Sequence, residues 1–142
     1  MEEIDLCWRL KNQGFKIMVC PSSTVYHVGG GTLNKINPRK TFLNFRNSLL
    51  TLHKNLPKNE RFIKLFVRLC LDGLAGVKFL LDGKPNHTWA IVRSHFAFYG
   101  AISQNIEKRN KVNKPNLTGI INVSIVKKHF INKAKTFNEI LK

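Results

Sequence analysis

The sequence predicts an α/β chain that is mostly helical. A helix and two short strands open residues 1–55, a further helix from Pro38 completes them, and a basic helical extension follows over 56–142. Three observations carry this reading. Apolar residues recur at helical spacing over residues 2–13 and again from Pro38 onward. Between them, Phe15 to Cys20 and Thr24 to His27 are short β-rich runs. Lys plus Arg number 24 against 8 Asp plus Glu; residues 1–30 are neutral, so the net charge of +16 belongs to residues 31–142.

The elements follow in order. Ile4, Cys7, Trp8 and Leu10 mark a helix over residues 2–13, and Gly14 stands where a left-handed C-terminal cap belongs. Phe15 to Cys20 forms the first strand, ended by Pro21, and Ser22-Ser23 turn the chain into a second at Thr24 to His27. Val28 through Thr32 is a glycine loop. Pro38 suits the first turn of a helix reaching about His53, and Asn55-Leu56-Pro57 breaks it. A long helix over about 59–82 contains Gly73 and Gly76, which weaken its continuity. After Gly83-Lys84-Pro85, another helix runs from about 87 to 110. Residues 111–121 form a polar linker, Val123 to Ile131 a short helix, and 132–142 a basic tail with Phe137, Ile140 and Leu141 as a docking patch.

Composition excludes several classes. Cys7, Cys20 and Cys70 are odd in number and lack CxxC spacing, which argues against a disulfide framework or zinc site. The acidic start does not read as a signal peptide. The longest charge-free stretch, Ile17 to Asn34, is interrupted by Pro21 and three glycines and does not suit a spanning helix. A field of one sign this large favours a polyanionic partner, either an anionic membrane surface or nucleic acid.

The chemistry concentrates at the N-terminus, where Glu2, Glu3 and Asp5 are three of the eight acids. Adjacent carboxylates at a helix start also complement the helix dipole, worth about 0.3–1 kcal/mol each. Asp5 and Arg9, four apart, form a helical ion pair. His27 precedes Gly29, Gly30, Gly31 and Thr32, a loop whose backbone amides can approach an anionic oxygen closely.

The string Glu2-Glu3-x-Asp5-Leu6-x-x-Arg9, then Gly14-Phe15, Pro21 and Val25-Tyr26-His27-x-Gly29-Gly30-Gly31-Thr32, resembles the end of the catalytic domain in bacterial family 2 glycosyltransferases. The likeness is to rhamnosyl- and other cell-surface-polysaccharide transferases of the GT-A fold. It covers residues 2–55 and continues more loosely to the C-terminus. It implies that residues 1–55 are the C-terminal remnant of a GT-A domain, with the nucleotide-binding half and its Asp-x-Asp upstream. The chain alone is then expected to be inactive.

The resemblance further implies inverting transfer of a sugar from a nucleotide-sugar donor to a cell-envelope polysaccharide or lipid-linked acceptor. Such transfer needs a carboxylate that takes the acceptor hydroxyl's proton. Glu3 occupies the family's catalytic position, with Glu2 beside it; the family has Asp where Glu3 stands. Asp5 and Arg9 match supporting positions with an orienting or structural role. His27, Gly29, Gly30, Gly31, Thr32 and Arg46 match the region that contacts the diphosphate or its magnesium or manganese ion, with His27 as the metal position. Lys40 and Asn47 lie in the same segment as Arg46.

On a helical wheel Arg61, Lys64, Arg68, Asp72, Lys78 and Asp82 span an arc of roughly 120°, leaving about 240° apolar. Such a helix either packs on several neighbours or enters a bilayer interface. The interfacial reading places Lys64, Arg68 and Lys78 at headgroup level and Phe62, Phe66, Leu69 and Phe79 nearer the acyl chains. Together with the resemblance, it implies a peripheral position on the cytoplasmic face of the bacterial inner membrane. Nucleic acid is the weaker alternative, because no reading module is present and the aromatics fall on apolar faces.

Overall fold

The computed structural model describes residues 2–26, 37–110, 115–121 and 123–141. Helix α1 (Glu2–Asn12) ends as the glycine predicts. Gly14 has φ +90°, its N–H donates to the Lys11 carbonyl (3.0 Å), and Phe15 N–H donates back to Leu10 (3.0 Å). These two bonds satisfy carbonyls that a helix end would leave orphaned.

The two predicted strands do not form, and no strand occurs among the described residues. Residues 13–26 are exposed throughout, so the β-rich run from Phe15 to Cys20 and the start of the second run have no sheet to join. Propensity of this kind acts through packing against a neighbouring strand and has no effect without one. The described residues are those of a small helical domain, without the helix-and-two-strand remnant of a GT-A domain. The turn itself is present, with Ser23 N–H bonded to the Cys20 carbonyl (3.1 Å).

Asn37 caps α2 (Pro38–Asn55), its Oδ1 accepting from Arg39 N–H at 2.9 Å. Pro57 permits only a brief interruption before α3 (Lys58–Leu81). That helix runs unbroken through both glycines. Gly76 lies against α4 (Pro85–Gly100): its carbonyl accepts from Thr88 Oγ1 at 2.8 Å, and a Cβ there would meet Thr88 Cγ2 at an ordinary contact distance of 3.6 Å. Gly83, at φ +71°, closes α3 with the same pair of bonds seen after α1.

Thr41 bonds His87 (2.8 Å) near the starts of α2 and α4, while His53 meets the Phe98 ring near their ends. These two helices therefore run parallel, with α3 as the antiparallel crossover. Their seam buries Leu49, Ala90, Ile91 and Phe98. The single helix expected over 87–110 is two, because the chain turns at Gly100-Ala101 into α5 (Ile102–Asn110). The turn returns α5 to the end of α2. There Arg109 Nη1 donates to the carbonyls of His53 (2.9 Å), Lys54 (3.2 Å) and Leu56 (2.6 Å), neutralising the negative helix end.

Asn105 Nδ2 donates to His53 Nδ1 at 2.8 Å, which requires the neutral ring. Burial foremost, then the charges of Arg61 and Arg109, holds His53 below the usual histidine range. A lowered folded value means stability is present above the ordinary pKa of about 6.5 and declines as pH falls below it. Unfolding free energy measured in urea should therefore decrease from about pH 6.5 downward. His53→Gln should flatten that part of the profile.

Residues 115–118 are stitched to the end of α1. Asn116 N–H donates to Asn12 Oδ1 (2.7 Å), and Lys11 Nζ donates to the Thr118 carbonyl. The helix expected over 123–131 is mainly a π-helical turn, Lys127–Ile131, and Phe137–Leu141 forms the short α6. Phe137 and Leu141 remain exposed, so the expected docking patch is not seated.

Candidate functional site

Helix α1 gathers Glu2, Glu3 and Asp5 into one turn, with both glutamates exposed and Asp5 half-buried. Asp5 is held from three directions. Arg9 Nε donates at 3.1 Å from its own helix, and Lys54 Nζ reaches both oxygens at 2.5 and 2.7 Å. Asn55 Nδ2 donates at 3.0 Å. Asn55 is 0% exposed and also donates to the Thr51 carbonyl at 3.0 Å, so it is a fixed part of the interior. Burial opposes ionisation of Asp5, but the bonds from Lys54 and Asn55 and the charges of Lys54 and Arg9 outweigh it. The carboxyl is held below its usual range.

Beside Asp5 opens a cleft of about 200 Å³ between α1, α2 and α5. Glu2 and Asp5 line one side; Asn47, Thr51, Lys54 and Lys108 are among the groups facing them. Carboxylate, amide, hydroxyl and ammonium groups together suit a polar, hydroxyl-bearing ligand. Glu3, matched to the family's base, shares the first turn with Glu2, and Glu2 is the glutamate that lines the cleft.

Arg46 lies one residue from this cleft. Its Nε and Nη2 donate to Asn47 Oδ1 at 3.1 and 2.9 Å, and its guanidinium sits 5.3 Å from the Phe42 ring centroid. Arg46 is thus tied to Asn47, which lines the cleft, and does not line it itself. His27, Gly29, Gly30, Gly31 and Thr32 lie outside the described residues.

The expected magnesium or manganese position, His27, lies outside the described residues. Among the described residues no three His, Cys, Asp or Glu side chains converge as metal ligands. Asp5, the best-placed carboxylate, already has both oxygens bound to Lys54 and Asn55.

Lys54, Asn55, Asn105 and Lys108 were not legible as site residues. Their only signal was Thr51 and Asn55 standing four apart on a helix that packs its C-terminal turn inward. Compared with family models, curated proteins and solved structures, the chain has no match.

Proposed function

We propose that the chain belongs to a family 2 glycosyltransferase. It would act on a nucleotide-sugar donor and a cell-envelope polysaccharide or lipid-linked acceptor. The motif string from Glu2 to Thr32 supports the family. The observation that carries the chemistry is the exposed Glu2–Glu3 pair on a helical turn clamped in place through Asp5. In the reaction, the acceptor hydroxyl's proton passes to a glutamate carboxylate as its oxygen bonds the anomeric carbon. The bond from that carbon to the nucleotide diphosphate breaks, and the diphosphate leaves with the electron pair.

Asp5 does not take that proton, since Lys54, Asn55 and Arg9 hold it ionised. Its role is to fix α1 against α2, so that the turn carrying both glutamates is held beside the cleft that Glu2 lines. The protein would work peripherally on the cytoplasmic face of the bacterial inner membrane. Among the described residues no helix is long and apolar enough to cross one.

The test is complementation. Cells lacking the gene, supplied with a wild-type copy that includes the nucleotide-binding half, should incorporate labelled sugar into envelope saccharide. Glu3→Gln should abolish most of this incorporation, and Glu2→Gln should reduce it less. Normal incorporation by both single variants and by the double variant would remove the acid pair from the reaction.

A further inference from the structure

Helix α3 is turned opposite to the usual arrangement. Its charged residues Arg68 and Asp72 face the protein, Asp72 at 2% exposure, while Phe62 is 79% exposed on the outer side. Arg68 pairs with Asp72 at 2.8 Å and lies over the Phe45 ring of α2; His95 of α4 reaches the other oxygen of Asp72 at 3.2 Å. Phe79, expected among acyl chains, instead stacks on His87 at 4.9 Å. The headgroup-level placing of Arg68 from sequence is corrected accordingly.

What α3 shows to solvent is Phe62, Phe66, Val77 and Leu81, at spacings that fall on one side of the helix. Neighbouring α4 shows Trp89 and Phe96, the latter 72% exposed. The α3 stripe and Phe96 lie away from α2, while Trp89 stands at the border, lining a pocket with Pro38, Arg39 and Phe42. Helix α2 meets α3 through Phe45–Arg68 and α4 through Thr41–His87, positions on the opposite sides of the two wheels. The hairpin thus carries a continuous apolar outer face over a polar interior, too large a patch for ordinary solvent exposure.

Charge selects the occupant. Lys84 stands at the hairpin tip beside Leu81, Lys78 there is paired with Asp82 at 2.8 Å, and residues 31–142 carry the whole +16. Trp89 and Tyr99 add the amphipathic rings that favour a membrane–water boundary. A surface that is both apolar beneath and anionic above matches this face, and a lipid bilayer with anionic headgroups has that layering.

We propose that the outer face of the α3–α4 hairpin docks flat into an anionic lipid bilayer, with its apolar side chains below the headgroups. The inference is independent of glycosyl transfer. Helices of this kind bury their apolar side about 5–10 Å deep, which suits a hairpin lying in the interface.

Vesicles of phosphatidylcholine alone, and of phosphatidylcholine with phosphatidylglycerol, test this by co-sedimentation with the full chain. Wild type should bind the anionic vesicles. Phe66→Gln/Trp89→Gln/Phe96→Gln, all at exposed side chains, should weaken binding about tenfold or more at unchanged helical content. In a Trp8→Phe background, brominated acyl chains should quench Trp89 fluorescence, a readout that does not depend on the triple variant folding. Three results would overturn the proposal. One is no binding to anionic vesicles; another is binding unchanged in the triple variant and abolished by salt. The third is a wild-type dimer that the triple variant dissolves, with no vesicle binding, which assigns the face to a second copy.

Discussion

Asp5→Ala should destabilise the domain by about 2–3 kcal/mol, a large effect for one residue on an otherwise exposed helical turn. The magnitude follows from what is left behind. Asn55, fully buried, loses its Asp5 acceptor and retains only the Thr51 carbonyl. Lys54, with 13% of its side chain exposed, loses its counter-charge. An ordinary surface ion pair is worth about 0–1 kcal/mol, so urea unfolding separates the two cases. A loss below that ceiling would reduce Asp5 to a surface partner of Arg9.

Asp5→Asn keeps an acceptor for Asn55 but no charge for Lys54, and should cost roughly half as much. The pH dependence has a definite sign. A folded value below the ordinary one contributes stability above about pH 3.9 that is lost as pH falls through the folded value. This acid-side slope should vanish in Asp5→Asn. Hydrogen exchange should show the consequence for function: α1 amides lose protection in Asp5→Ala while those of α2 and α4 retain theirs. Glu2 would then leave the cleft as α1 undocks.

Several helix boundaries are legible because single residues encode them in the backbone, though the break at Gly100-Ala101 is not. Gly14 and Gly83 adopt positive φ, Pro38 opens α2, and Pro57 separates it from α3. The strands at Phe15 and Thr24 were misread for the converse reason: a strand needs a partner, and local composition does not reveal its absence. The Asp5–Arg9 pair was legible at a spacing of four, whereas its stronger partners, Lys54 and Asn55, lie 49 and 50 residues away. Asn55 in particular reads as a helix breaker beside Pro57, and only tertiary packing makes it the interior hub. Helix α3 showed two faces in sequence, but a wheel does not say which one meets the neighbour. Gly76 held that information in retrospect, since a close helix contact falls on the same side as Asp72.

Arg68→Met should cost about 2–3 kcal/mol, and adding Asp72→Leu should recover most of it. Removing the guanidinium alone leaves Asp72 enclosed between α3 and α4 with only His95 to balance it. A deeply buried pair broken this way loses about 3–5 kcal/mol. Arg68 is 34% exposed, so water entering its place brings the figure down. Burial already pushes the Asp72 carboxyl up, with Arg68 the chief opposing influence, so the single variant should raise it further. A raised folded value means stability present below the ordinary carboxyl pKa of about 3.9 and lost as pH rises through the folded value. Arg68→Met should therefore steepen the decline on the neutral side, a slope that Asp72→Leu abolishes. The double variant replaces paired charges by apolar groups facing α2 and α4, where such exchanges are commonly neutral or stabilising by about 1–4 kcal/mol. The cycle of the four proteins gives the coupling energy directly. A double variant no more stable than Arg68→Met would show that the interior charges do more than balance each other. In that case they would be what keeps the apolar side of α3 turned outward.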